Sequence, residues 1–560
     1  MKTDTSPSPW VTWPAAAAAL VLLNASLTFA NVWPTPKITW AAAFSVELAI
    51  VVLLLAVAHR WAGALARRVL PAVWVVLVFG HYLDVTAPGL YGREFNLYWD
   101  SQHLGNVTAM LARAAPAWLI AAVVVGAVAA IGAAFLLARL AFGWLASAMT
   151  SRRPRLALAA VAALVIALFG VQRAEGLAPR DDAFADPVTP AYARQARYVL
   201  ATFGGGPVAP VLGASPALDV PLGRLDGADV MLVFVESYGA ITYETPEVAD
   251  GLRESRAALA DAVAAAGRTA LTAYVESPTF GGSSWLAHLS LISGVEVRDQ
   301  YAYTSLMASS RDTLVTEFSR QGYRTVALMP GMRQAWPEGA FYGFDQIYGR
   351  DLLAYTGPQF GWWSIPDQYA LAKIDQLEFD RPARAPLFVV FPTSTTHAPF
   401  GPVAPYLPDW STVLDNPFDP AEVARVLADK PDLTNLRPSY THAMAYEYTA
   451  LAGYIREHAG DDLVMIVIGD HQPPAAVSGP GAPHDVPVHV ITSRQDVLAR
   501  LAGHGFRPGL VPARPAIGRM HTLVPVLLDA FGGPTAATDH RKRATSAGAL
   551  APQAPDVQPE

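Results

Sequence analysis

Apolar runs dominate the first third of the chain. Residues 15–32, 38–58, 69–85, 117–138 and 156–171 carry few or no charged side chains. A bilayer core about 30 Å thick takes about 20 helical residues at 1.5 Å each, so these runs predict five membrane-spanning helices. The first run follows Lys2 and contains Leu27-Thr28-Phe29-Ala30, which also suits a signal peptide. With four further runs behind it, we read it as a retained helix. Arg60, Arg67 and Arg68 lie between the second and third runs, and Arg139, Arg152, Arg153 and Arg155 between the fourth and fifth. The intervening loops hold only Lys37, and Arg93 with Arg113. Arginine-rich loops stay on the cytoplasmic side, so everything after about Arg173 is expected outside the cytoplasm. Glu47 falls inside the second run. An ionisable group there is either functional or held in a hydrogen bond between helices.

Beyond residue 173 the pattern changes twice. Residues 174–227 are rich in Ala, Pro and Gly and read as a linker. From 228 to 531, short apolar runs (230–235, 325–328, 387–391, 463–468 and 486–490) alternate with helical stretches at 252–266, 314–321 and 440–458. Continuous apolar strands alternating with helices predict an α/β domain with a mainly parallel sheet covered on both faces. Residues 532–560 are Ala- and Pro-rich and read as a disordered tail. The expected organisation is a membrane domain at 1–173, a linker at 174–227, a soluble domain at 228–531 and the tail at 532–560.

Composition narrows the class. Of 560 residues, 52% are hydrophobic and only 16% charged, whereas soluble globular domains average about 25% charged. Forty basic against 47 acidic residues give a net charge of −7, so nucleic acid is not an expected partner. With no cysteine, disulfides, thiolate metal sites and a cysteine nucleophile are all excluded.

In parallel sheets, ligands bind beyond the C-terminal ends of the strands. Three predicted strands run into chemistry there: into Glu236-Ser237-Tyr238-Gly239, into Thr393-Ser394-Thr395-Thr396-His397, and into Gly469-Asp470-His471-Gln472. Between them lies Gly281-Gly282-Ser283-Ser284-Trp285, before an apolar helix start. Two carboxylates, an imidazole and a hydroxyl converging on one edge make an oxygen-rich site for one divalent cation, compatible with Mn²⁺, Zn²⁺ or Mg²⁺. A cation there would favour a serine alkoxide and offset phosphoryl charge, and a nearby histidine could protonate the leaving group. His288 follows Ser284 by one helical turn, which allows it either to face the site or to pack in the core, and core packing is the preferred reading. Glu276 in Val275-Glu276-Ser277-Pro278 is read as structural.

This combination resembles the sulfatase-like, alkaline-phosphatase-superfamily membrane transferases of bacterial envelopes, among them lipoteichoic acid synthases and lipid A phosphoethanolamine transferases. The resemblance covers nearly the whole chain. It implies that Glu236, Asp470 and His471 are metal ligands, and that a serine of the Gly-Gly-Ser-Ser segment is nucleophile and fourth ligand. His397 matches a substrate-contacting histidine of the synthases, and His484 a further active-site histidine of some members. Counting back from Ser293-Gly294, as in sulfatases, selects Ser284; counting as in the synthases selects Ser283. The formylglycine context of true sulfatases is missing, because Ser284 is followed by Trp285-Leu286-Ala287-His288. The synthases' Trp-Asn-Arg substrate motif is replaced by Trp336-Pro337-Glu338, with Arg333 the nearest arginine.

The resemblance implies transfer of a phosphoglycerol- or phosphoethanolamine-type head group to an envelope glycan or lipid, through a serine-bound intermediate. A site outside the membrane has lipids at hand and no ATP, so a phospholipid is the expected donor. The alternatives are a phosphodiesterase or phosphatase of the same superfamily, and a non-catalytic lipid-sensing module. The expected location is the bacterial cytoplasmic membrane, multi-pass, with the catalytic domain extracytoplasmic.

Overall fold

The computed structural model describes residues 9–31, 38–91, 94–102, 104–174, 183–204, 212–332, 336–479 and 481–533. The chain divides into two compact units, 1–208 and 209–560.

The first unit is helical. Its principal elements are α1 (Pro9–Ala25), α2 (Val46–Val57), α3 (Leu70–Tyr91), α4 (Ala117–Ala148), α5 (Arg152–Ala174) and α6 (Val188–Gly204). Three of these, α3, α4 and α5, are long and apolar enough to cross a membrane. The first two predicted spans are shorter as helices. After α1 the chain turns into a two-residue pairing, Phe29–Ala30 against Thr39–Trp40. Asn24 then binds the backbone at Ala43 and Ser45, and the Ser45 side chain caps α2. At 1.5 Å per residue the 12 residues of α2 span about 18 Å. The apolar runs therefore extended across turns that their hydropathy could not mark.

Glu47 has a structural explanation. It lies in the first turn of α2, where its carboxylate accepts from the backbone N–H of Val188 (2.6 Å) and Thr189 (3.3 Å) and from Ser45 Oγ (3.1 Å). It thus satisfies the amides at the start of α6, and an anion there also meets the positive end of the helix dipole. Helix α6 itself lies inside the stretch whose composition reads as a linker.

The second unit is built on an eight-stranded sheet. In chain order its strands are β1 (Asp229–Val235), β2 (Thr269–Glu276), β3 (Arg324–Met329), β4 (Gln346–Gly349), β5 (Leu387–Pro392), β6 (Leu463–Gly469), β7 (Asp485–Thr492) and β8 (Arg507–Pro508). Across the sheet the order is β8-β2-β7-β6-β1-β5-β3-β4. Strands β6, β1, β5, β3 and β4 are mutually parallel, whereas β7 runs against both β6 and β2, and β8 against β2. Two successive reversals leave β2 parallel to β6, so its C-terminal end reaches the same edge.

Alternation along β1 shows why this sheet is covered twice. Met231, Val233 and Val235 face one apolar layer, and Val230, Leu232 and Phe234 face the other. The first layer includes α7 (Arg253–Ala265), α10 (Asp367–Ile374) and α11 (Arg437–Glu457); the second includes α8 (Ser284–Ser293), α9 (Leu314–Arg320) and the helix Leu523–Phe531. Leu218, Leu222 and Leu225 are buried in the second layer, so the end of the stretch read as a linker belongs to this core. Of the expected tail, Gly533 still bridges to Leu222, and residues 534–560 lie outside the described residues.

Candidate metal centre at the strand ends

Register brings the carboxylates together. Strands β1 and β6 pair with Val235 opposite Gly469, so the next residues, Glu236 and Asp470, leave the sheet side by side. Gly469 is needed for this approach, because a Cβ there would collide with the carbonyl oxygen of Tyr238. On the other flank of β1, Thr393 donates no backbone freedom: its N–H bonds to Phe234 O and its hydroxyl accepts from Glu236 N–H at 3.1 Å. Thr396 Oγ1 donates to Glu236 O at 2.6 Å. Buried Asp367, at the start of α10, takes the N–H groups of Ser394 (2.9 Å) and Thr395 (2.7 Å). It thereby fixes the loop that carries His397.

Ser284 arrives by a different route. After β2 the chain passes through Gly281 and Gly282 to Ser283, which adopts a left-handed conformation (φ 63°, ψ 39°) immediately before α8. That reversal starts α8 at Ser284, whose Oγ donates to Glu236 Oε2 at 2.9 Å and lies 3.1 Å from His471 Nε2. Ser283 is the residue before the helix, and Ser284 is the serine in contact with the carboxylate and the imidazole.

Glu236, Asp470 and His471 each offer a ligand atom, and these atoms lie within 4.8 Å of one another. His471 Nδ1 lies 2.8 Å from the Gln472 carbonyl, which can only accept, so Nδ1 carries the proton. Burial lowers the His471 pKa, and the neutral ring turns the lone pair of Nε2 toward Glu236 (3.5 Å) and Asp470 (3.6 Å). This tautomer is the one a metal-binding histidine needs. Asp470 Oδ1 accepts from the N–H groups of Ser237 (2.8 Å) and His471 (2.7 Å). Its Oδ2 is buried with no hydrogen-bond partner among the described residues. An orphaned buried carboxylate oxygen beside an imidazole lone pair, a second carboxylate and a hydroxyl fits the donor set of a divalent cation.

The electrostatics agree. Burial and the adjacent Glu236 push Asp470 well above the usual carboxylate range. Burial pushes Glu236 the same way, but attraction to the His471 and His397 rings when they are protonated, together with hydrogen bonds from the Ser284 and Ser237 hydroxyls, outweighs it and leaves Glu236 lowered. Two carboxylates this close, in a buried setting, do not both ionise without added positive charge.

The remaining predicted residues make contacts of their own. His397 follows β5, with Nδ1 on the Ala398 carbonyl (2.6 Å) and its ring against Trp363 at 5.4 Å. His484 precedes β7, with Nδ1 3.3 Å from the Ser277 carbonyl and its ring 5.4 Å from Phe280. Trp336 packs on Tyr342 (5.0 Å) beside the second apolar layer, and Arg333 lies outside the described residues. Glu276 pairs with Arg298 at 2.9 Å. His288, read from sequence as core packing, does pack on Phe234 (4.4 Å between rings), yet its Nε2 also faces Asp470 Oδ2 at 3.8 Å.

Sequence reasoning missed the supporting shell. Ser237 binds both carboxylates, donating its hydroxyl to Glu236 Oε1 at 3.0 Å, and its place directly after Glu236 was the available signal. Ser277 Oγ donates to the Asp470 carbonyl at 2.5 Å. Asp367 precedes the loop it holds by 27 residues, and nothing local marks it.

No protein-family model matches this chain, and no curated protein does. Among solved structures, the chain is similar to the integral membrane protein lipooligosaccharide phosphoethanolamine transferase A (EptA) from Neisseria meningitidis. Identity is 15% and the TM-score 0.46, with 94% of each chain covered. It is also similar to the lipoteichoic acid synthase LtaP from Listeria monocytogenes, at 15% identity and a TM-score of 0.36, over 58% of this chain and 76% of that one. A third is the C-terminal periplasmic domain of EcEptC from Escherichia coli in complex with Zn, at 15% identity and a TM-score of 0.36, over 57% of this chain and 87% of that one.

Proposed function

We propose that this chain is a membrane-anchored phosphotransferase that moves a phospho-head group from a phospholipid to an envelope glycan or lipid through a Ser284-bound intermediate. The observation that carries the reading is the contact of Ser284 Oγ with Glu236 and His471, beside the orphaned Oδ2 of Asp470. In this reading α1 to α5 form the membrane part, and the unit from residue 209 onward works outside the cytoplasmic membrane.

Glu236, Asp470, His471 and Ser284 would hold one divalent cation, Mn²⁺, Zn²⁺ or Mg²⁺. A bound cation supplies the positive charge that lets the serine ionise and offsets the charge of the phosphoryl oxygens. Ser284 Oγ, its proton released to solvent, forms the new bond to phosphorus, and the bond from phosphorus to the diacylglycerol oxygen breaks. In the proposed step the doubly protonated His397 keeps its Nδ1–H on the Ala398 carbonyl and gives its Nε2 proton to the departing diacylglycerol oxygen. In the second step an acceptor hydroxyl attacks the same phosphorus, its proton passes to His397, and Ser284 Oγ leaves. The start of α8 contributes as well: its first amides and dipole favour negative charge where Ser284 sits. His484 is assigned to the substrate side of the site, and Trp336 and Arg333 to head-group recognition.

The test is release of diacylglycerol from phospholipid vesicles by the purified chain supplied with each of the three metals. Release that requires metal and fails in Ser284→Ala supports the reading. No release from any common phospholipid overturns it, and release without transfer to an added acceptor makes the chain a phosphodiesterase instead.

A further inference from the structure

We infer that His288 is a positioning residue that aims the ligating oxygen of Asp470 by donating a hydrogen bond from Nε2 to Oδ2. The two oxygens of Asp470 have different tasks. Oδ1 is already occupied by the N–H groups of Ser237 and His471, which leaves Oδ2 to bind metal. Only two side-chain nitrogens of the described residues are paired with Oδ2, His471 Nε2 at 3.6 Å and His288 Nε2 at 3.8 Å. His471 cannot donate from Nε2, because its proton is held on Nδ1 by the Gln472 carbonyl. His288 Nε2 is buried and has no hydrogen-bond partner among the described residues. Two buried polar atoms, one a potential donor and one an acceptor, thus face each other within an ångström of bonding distance.

Packing holds the donor in place. His288 lies four residues after Ser284 on α8, so both side chains share one helix face. Its ring lies against Phe234 of β1 at 4.4 Å, and Phe234 is two residues before Glu236. The helix that delivers the proposed nucleophile therefore also delivers a support for the opposite ligand. A hydrogen bond to a ligating carboxylate restricts its rotation, and outer-shell groups of this kind typically change metal affinity by about 10- to 100-fold. His288 is not a member of the ligand cluster itself, which consists of Glu236, Asp470 and His471.

This inference rests on the metal-centre reading, and the experiment separates the two. The full-length chain and its variants are titrated in detergent with Mn²⁺ and with Zn²⁺, and melted without metal. His288→Phe keeps the ring on Phe234 but cannot donate, and should bind metal about 10- to 100-fold more weakly with an unchanged metal-free melting midpoint. His288→Gln keeps an N–H donor and should restore most of the affinity. In an Asp470→Asn background, His288→Phe should add no further loss. Wild-type affinity in His288→Phe, or an equal further loss on Asp470→Asn, overturns the inference while leaving the metal centre intact. Should the Phe variant not fold, His288→Met takes its place as the non-donor. Failure of the wild type to bind either metal overturns the metal-centre reading itself.

Discussion

The two adjacent serines make opposite predictions. Ser284 Oγ is the group in contact with Glu236 and His471, whereas Ser283 occupies the left-handed residue that starts α8. In Ser284→Ala the nucleophile is gone, and the rate of diacylglycerol release should fall by about 10⁴-fold or more, which is about 5.5 kcal/mol of barrier. Folding should be affected far less. The one hydrogen bond that Ser284 donates, to the Glu236 carboxylate, is lost at about 2 kcal/mol for a charged acceptor, and part of that is offset because alanine is the better helix former. A net cost of about 1 to 1.5 kcal/mol is expected, visible as a melting shift of a few degrees. Ser283→Ala keeps the same left-handed backbone requirement, so its rate should stay within about threefold of wild type, under 1 kcal/mol. Both variants are assayed on labelled phospholipid vesicles at saturating metal, with metal affinity measured alongside. If Ser284→Ala retained a substantial rate while Ser283→Ala abolished it, the assignment of the nucleophile from this geometry would be wrong.

Other consequences can be checked on the same protein. Because burial and Glu236 raise Asp470 well above the usual carboxylate range, the metal-free site holds a proton that a cation must displace. Apparent metal affinity should therefore rise with pH until Asp470 ionises in the free protein. Calorimetry in buffers of different ionisation enthalpy should then show about one proton released per ion; no release at any pH would contradict this. Removing Asp367 frees the N–H groups of Ser394 and Thr395 and with them the His397 loop. Asp367→Ala should lower the transfer rate about 10²-fold through misplacement while leaving metal affinity near wild type, and weakened metal binding would count against that division of labour. Glu447 is buried, and burial together with Asp367 pushes it well above its ordinary value. The folded protein therefore keeps a proton that the unfolded chain releases above about pH 4.3, so this residue's contribution to stability is full below that pH and is lost as pH rises toward the folded pKa. Glu447→Gln removes the loss, and its melting advantage should grow from pH 4 upward; a constant difference would sink the argument.

How much of this was legible without coordinates depends on the length and continuity of the signal. Strand β1 and strand β6 are unbroken apolar runs, and the chemistry directly after them, Glu236 and Asp470-His471, could be located by the rule that ligands gather at strand ends. Strand β2 escaped because Thr269–Glu276 is half Ala and Thr, with the apolar content of a helix surface. Direction was also hidden: β7 is as apolar as its neighbours, yet it runs against β6, since hydropathy encodes burial and not polarity of the chain. In the first unit, the first apolar run continued past the end of α1 and the second was longer than α2, because the turns near Asn24 and Ser45 are made by side-chain capping bonds. Helix α6 lay in a stretch whose Ala, Pro and Gly content suggested a linker, and Glu47, 141 residues away, caps it. Long-range polar partnerships of this kind leave no local trace in a single sequence. The same applies to Asp367, whereas His288 was marked by its place one helical turn after Ser284.

The central claim is a head group carried on Ser284, and it can be weighed directly. The purified full-length chain is incubated with divalent metal and phospholipid in the absence of acceptor, quenched in acid, digested and examined by mass spectrometry. The account predicts a mass increase on the peptide containing Ser284, equal to one phospho-head group, located to that serine by fragmentation and absent without metal. An unmodified Ser284 while phospholipid is being consumed, or an adduct on any other residue, would contradict it.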